Sequence, residues 1–210
     1  METQKLIQEA YINHLREHGK EPVSVFRFCK DLNIEEKEFF SWFSSFEAVE
    51  SAYWEGVLDG VIRAVESGEE YASFTARQRF LTFGYAFLER SLEVRSLMLT
   101  RLGPLSLLSR PPFLAGFERR FKEHAKAIIE HGQQHGEIAA RGRLTDLYPQ
   151  GLYLVFRSVI AYHLKDQSPV FERSDAYLEK SVNLAFDILR TQPLDSAFDL
   201  ARFLIPLPTK

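Results

Sequence analysis

Apolar positions recur at helical spacing along most of the chain, and no stretch alternates as a strand does, so the pattern predicts an all-α protein. Leu6, Ile7, Ala10, Tyr11 and Leu15 make one stripe, predicting a helix over 3–18 that Gly19 ends. Val25, Phe28, Cys29 and Leu32 predict a short second helix capped by Ser24 and closed by Asn33. Ile34, Phe39, Phe40 and Phe43 predict a third, stopped at Ser44 and Ser45. Two short helices joined by a tight turn, with another leaving at once, form a helix-turn-helix. A long helix over 46–66 follows, facing inward through Val49, Tyr53, Val57, Ile62 and Val65, with Gly56 and Gly60 expected to allow close helix approach.

The polar run Ser67-Gly68-Glu69-Glu70 places a domain boundary, giving a helix-turn-helix domain at 1–66 and a helical domain at 67–210. Beyond it the pattern predicts helices over 74–92, 94–102, 113–134, 144–165 and 171–190. The breaks Gly103-Pro104 and Arg110-Pro111-Pro112 enclose Leu105, Leu107 and Leu108, a packed connector rather than a free linker. The 144–165 helix is apolar on all sides and so needs a partner on all sides, with a second subunit as the natural cover. Leu194, Phe198, Leu200, Phe203, Leu204 and Ile205 predict that the tail docks as a short helix.

The segment from Ser24 to Val49 resembles the DNA-binding domain of the TetR family of bacterial regulators. Val25, Phe28 and Cys29 stand at that family's V-x-x-I-A, Leu32 to Glu35 at its A-G-V-S, and Phe39, Phe40, Trp42 and Phe43 at its L-Y-x-H-F. Ser45, Phe46, Glu47 and Val49 stand at its S-K-E-x-L, and Gly136-Glu137-Ile138 at a G-E-I turn that precedes its last two helices. The resemblance implies a ligand-responsive homodimer. The N-terminal domain would bind duplex DNA, the last two helices of each subunit would pack together, and a small apolar or amphipathic ligand would enter the C-terminal bundle. The DNA-contact candidates are then Arg27, Lys30, Lys37, Ser41, Trp42, Ser44 and Ser45. Helices that converge in such a fold carry Phe80, Phe83, Phe87, Phe117, Phe121, Tyr153 and Phe156, which line a candidate ligand site or form plain core.

Charge works against the DNA role. Residues 1–60 hold six Lys and Arg against twelve Asp and Glu, a balance of −6 within a chain whose net charge is −3. Affinity for DNA rests largely on cations that neutralise phosphates, yet Glu35, Glu36 and Glu38 open the recognition helix. Phe40 and Phe46 replace a tyrosine and a lysine that meet the DNA backbone in the resembling family. The alternative is therefore a module of this fold that binds lipid or protein and has lost DNA, as lipid-binding proteins of ubiquinone biosynthesis resemble.

Arg157 and His163 lie within the apolar 144–165 helix and need partners if buried. Either Arg157 meets a carboxylate and His163 a backbone carbonyl at the dimer seam, or one of them anchors a polar ligand head. His14 and His18, and His131 and His135 near Glu137, have the spacing of a metal pair without further ligands, so no metal or other cofactor is expected. No nucleophile motif or phosphate loop points to an enzyme. Cys29, the sole cysteine, reads as a small core residue. The chain opens with no signal peptide and holds no membrane-length apolar run, which predicts a cytoplasmic protein with no membrane partner.

Overall fold

The computed structural model describes residues 2–190 and is built from helices, with no strand among those residues. α1 (Glu2–His18), α2 (Val25–Asp31) and α3 (Glu36–Trp42) form an N-terminal head. Its core is a ring cluster. Phe46, from the start of α4 (Phe46–Glu66), stacks on Tyr11 at 5.2 Å between centroids and meets Phe28 at 5.3 Å and Phe39 at 5.6 Å edge-on. The local chemistry is as the sequence predicts: the Ser24 hydroxyl accepts from the Arg27 amide, and Ser45 accepts from that of Ala48. Asn33 takes a left-handed φ of 56°, where the Ile34 amide bonds back to the Cys29 carbonyl. Glu38 reaches back to the Glu35 amide at 3.2 Å, so part of the acidic run secures the start of α3, where the helix dipole favours negative charge.

α4 runs from the head into a helical bundle, where it packs against α5 (Ala76–Glu93) and α7 (Ala115–Gln134). α6 (Arg95–Arg101) follows α5 directly, and a connector with a short 3-10 turn at Pro112–Leu114 leads into α7. α8 (Tyr148–Lys165) and α9 (Glu172–Arg190) complete the bundle. α8 starts later than the apolar pattern predicts, because Gly142–Leu147 forms a separate 3-10 segment. The predicted docking of the tail lies outside the described residues.

One expectation about packing is corrected. A Cβ added at Gly56 or Gly60 meets nothing within 4 Å; the close approaches are at Gly84 beside Leu178, Gly116 beside Ser51 and Gly132 beside Ile138. At Gly116 the backbone N–H donates to the Ser51 hydroxyl at 3.0 Å, fixing α7 against α4. Ion pairs Arg119–Glu55 at 2.6 Å and Arg120–Asp59 at 2.5 Å extend that seam. On α8, Val159 is buried within its own subunit, whereas Leu154 and Val155 are half-buried and Tyr162 is exposed, so part of its apolar surface is not covered by its own chain.

The Gly136-Glu137-Ile138 turn has a physical role. Gly136 adopts φ +70°, which suits glycine. Glu137 then accepts the Ala76 amide at 2.7 Å, capping α5 from 61 positions away, while Ile138 is buried against Gly132.

Candidate functional site

Where α4, α5, α7 and α8 meet the connector there is a cleft. Its total empty space, solvent at the mouth included, is about 560 Å³, of which about 50 Å³ is wide enough to hold water. Trp54, Phe87, Phe117, Tyr153, Ile160, Ala161 and Leu164 form its walls, and Leu102, Leu105, Ser106, Leu107 and Leu114 cover it. Arg157 pins this cover: Nη1 donates to the Ser109 carbonyl at 2.6 Å and Nη2 to that of Ser106 at 2.9 Å. The expected carboxylate is not there, since no ion pair of Arg157 occurs among the described residues. Burial and the Glu118 charge push the Tyr153 phenol up to about 12, against the pull of Arg157 and Arg110.

The aromatic residues singled out in the sequence divide between two places. Phe87, Phe117, Tyr153 and Arg157 line the cleft. Phe80, Phe83, Phe121 and Phe156 pack on one another as solid core, with Phe121 and Phe156 stacked at 4.9 Å and all four at 0% exposure.

His163 lies at neither the cleft nor a subunit surface. Its Nε2 is 3.0 Å from the Ser91 hydroxyl and its Nδ1 3.0 Å from that of Ser174, which donates to Asp166 at 2.6 Å. Asp166, ionised, only accepts, so Ser174 spends its proton there and accepts from Nδ1–H, while the single Ser91 proton is shared between His163 Nε2 and the Leu88 carbonyl 2.6 Å away. Burial, with Arg95 beside it, lowers the His163 pKa to about 4 and keeps the ring neutral. Hydrogen bonds from Ser174 and Ser168 hold Asp166 well below the usual carboxylate range, overcoming its desolvation. Ser91 is 1% exposed and does not line the cleft, so the relay fastens α5 to the α8–α9 turn.

A second buried network was not foreseen. Glu50 of α4 is fully buried and accepts from Trp54 Nε1 at 3.1 Å, Tyr11 Oη at 3.3 Å, and Arg101 Nη2 at 2.7 Å. Arg101 also reaches Glu21 at 3.3 Å and lies 4.6 Å over the Phe113 ring. Burial first, and then the Glu50 charge, push the Tyr11 phenol well up, so it remains a donor. The signal was legible: a carboxylate one helical turn from Phe46 and from Trp54 interrupts an inward apolar stripe.

On the head, Arg27, Lys30, Lys37, Ser41, Trp42 and Ser44 are exposed, and Ser45 is half-buried as a cap. They share that surface with exposed Phe26 and Phe40, and Phe26 and Lys30 line an open hollow with Glu35, Glu36 and Glu38. Phe46, at the family's lysine position, is buried and unavailable to phosphate. His131 Nε2 lies 3.2 Å from the Phe74 carbonyl, and among the described residues no group of three or more His, Cys, Asp or Glu could hold a metal.

A helical head is thus joined by one long helix to a bundle that holds an apolar cleft. Residues 79–204 match the model of the tetracyclin repressor-like C-terminal domain, and the chain belongs to this family. No curated protein matches the chain. Solved structures similar to it include a tetR family transcription regulator of Shewanella sp. PV-4, at 14% identity and TM-score 0.62, covering 90% of this chain and 99% of that one. Another is the TetR transcriptional regulator of Nitrosomonas europaea ATCC 19718, at 14% identity and TM-score 0.60, covering 87% and 96%. A third, a protein of unknown function from Rhodococcus sp. RHA1, has 16% identity and TM-score 0.58, covering 90% and 96%. At such identities the likeness concerns the fold.

Proposed function

We propose that the chain is a dimeric, ligand-responsive transcription regulator of the TetR type. Residues 1–66 meet duplex DNA and residues 67–210 take a small apolar or amphipathic ligand and dimerise. The observation that carries this is Trp54. Its ring is a wall of the cleft, and its indole N–H donates to Glu50, which holds Tyr11 of the head and Arg101 of α6. A ligand that displaces Trp54 acts directly on the group that seats the head. In this reading Ser41, Ser44, Lys37 and the Trp42 indole, all exposed, would meet phosphates, with Arg27 and Lys30 as further cations. The family membership favours this role over catalysis, and no described helix is long and apolar enough to cross a membrane.

A labelled duplex pool titrated with the protein at low and moderate salt tests the proposal. Binding is expected at low salt, falling steeply as salt rises, with a slope of about −0.9 per phosphate neutralised. The hollow bounded by Glu35, Glu36 and Glu38 beside exposed Phe26 favours a second reading, in which the head docks a protein and the bundle holds a lipid. Absence of duplex binding even at low salt selects that reading.

A further inference from the structure

Arg157 is the one charged residue among those that line the cleft. Its fork is spent on two neutral backbone carbonyls, those of Ser106 and Ser109, and both belong to the cover. A guanidinium matches a carboxylate with two parallel N–H···O bonds, and a charge-assisted bond is roughly twice as strong as a neutral one. The acidic group near this end of the cleft, Glu118, is already paired with Lys122 at 2.5 Å, while Arg110 adds a second guanidinium to the field around Tyr153. The surrounding walls are apolar. As it stands the water-sized space is about 50 Å³, far less than the several hundred Å³ of an ordinary ligand site, so occupancy requires the cover to move.

We infer that the cleft binds a small carboxylic acid with an apolar body, whose carboxylate takes Arg157 from the Ser106 and Ser109 carbonyls. One exchange then does two things. It pairs the ligand's charge, and it releases the segment from Leu102 to Leu114 that closes the site. This inference rests on the cleft being the ligand site of the proposed function, and it adds the chemical class of the ligand.

Calorimetric titration of the full chain at neutral pH with octanoate and with octanol tests it. Octanoate is expected to bind roughly tenfold more tightly, the scale of one hydrogen-bonded charge pair. Arg157→Gln is expected to bring the two ligands to the same affinity, and Arg157→Lys to keep part of the difference. Octanoate, and not octanol, is expected to speed chymotryptic cleavage after Leu107 and Leu108 as the cover loosens. Equal affinities in the unmodified protein, or a preference that survives Arg157→Gln, overturn the carboxylate assignment and leave the cleft standing. Failure of both ligands to bind overturns the cleft itself as the ligand site. Should Arg157→Gln not fold, the lysine variant and the acid–alcohol comparison in the unmodified protein still decide.

Discussion

Glu50 and Arg101 are paired at 2.7 Å across the junction of α4 and α6, the carboxylate fully buried and the guanidinium side chain 17% exposed. Removing one charge of a buried pair leaves the other desolvated and uncompensated. Glu50→Gln keeps the shape and leaves Arg101 with Glu21, whose side chain is 40% exposed, as its carboxylate partner. A loss of about 3 kcal/mol is expected, measured as a lower urea midpoint at unchanged slope. The same variant should weaken any effect of cleft ligands on duplex binding, because it cuts the tie between Trp54 and the head. An unchanged midpoint would mean that the pair is energetically neutral.

Glycines give a contrast between two kinds of position. At Gly116 an added Cβ falls 2.6 Å from Glu55 Oε2 and 2.9 Å from Ser51 Oγ, and the backbone oxygen of Ser51 is 3.3 Å away. Gly116→Ala displaces the Glu55 carboxylate and the Ser51 hydroxyl, costing the seam the bonds these make to Arg119 and to the backbone N–H, and a loss of about 1 kcal/mol is expected. Gly60→Ala sits in a helix with open space, where losing the glycine's excess freedom should stabilise by about 0.5–1 kcal/mol. Thermal melts of the two variants should therefore move in opposite directions.

His124 of α7 is 3% exposed, packs 5.0 Å from the Phe83 ring, and has no hydrogen-bond partner at Nε2. Burial, then the charge of Arg120, lower its pKa to about 4; Glu66, 3.4 Å from Nδ1, does not offset them. A histidine whose folded pKa lies below its unfolded value of about 6.5 binds its proton more readily when unfolded. The stability it permits is thus full above pH 6.5 and is lost as pH falls toward 4, at up to about 1.4 kcal/mol per pH unit. His163 acts in the same direction, its pKa also lowered to about 4. His124→Phe keeps a ring in place and removes one of these titrations. Denaturant titrations at pH 7.5, 5.5 and 4.5 should show the variant losing less stability than the parent as pH falls.

The head was legible because its signals are local. Ser24, Asn33 and Ser45 act on amides within a few positions, and a hydroxyl or a left-handed turn means the same thing in most chains. The C-terminal packing was not, because it depends on which helix lies opposite. Gly56 and Gly60 carry the same sequence signal as Gly84 and Gly132, yet those two alone face a neighbouring helix. Phe46 illustrates the difference between alignment and environment: it occupies a lysine position in the family pattern, but its ring completes the cluster around Tyr11. Arg157 and His163 were correctly marked as needing partners. The partners found, backbone carbonyls of a loop and two serines, leave no periodic trace in the sequence.

The last consequence concerns the outer face of α8 and α9. Leu184 is 63% exposed and Ile188 44%, and Tyr162 stacks on Tyr177 at 4.5 Å between centroids on the same pair of helices. An apolar surface of this kind fits a twofold contact between identical subunits, where each patch meets its own copy. Val159, at 1% exposure, instead faces inward. A charge at each site therefore has a different consequence. Leu184→Asp should leave the helical signal intact and shift the protein from dimer to monomer in sedimentation, because the cost falls on association alone. Val159→Asp should unfold the subunit, since a carboxylate buried without a partner costs several kcal/mol. A folded dimer carrying Leu184→Asp would remove this face from the subunit contact.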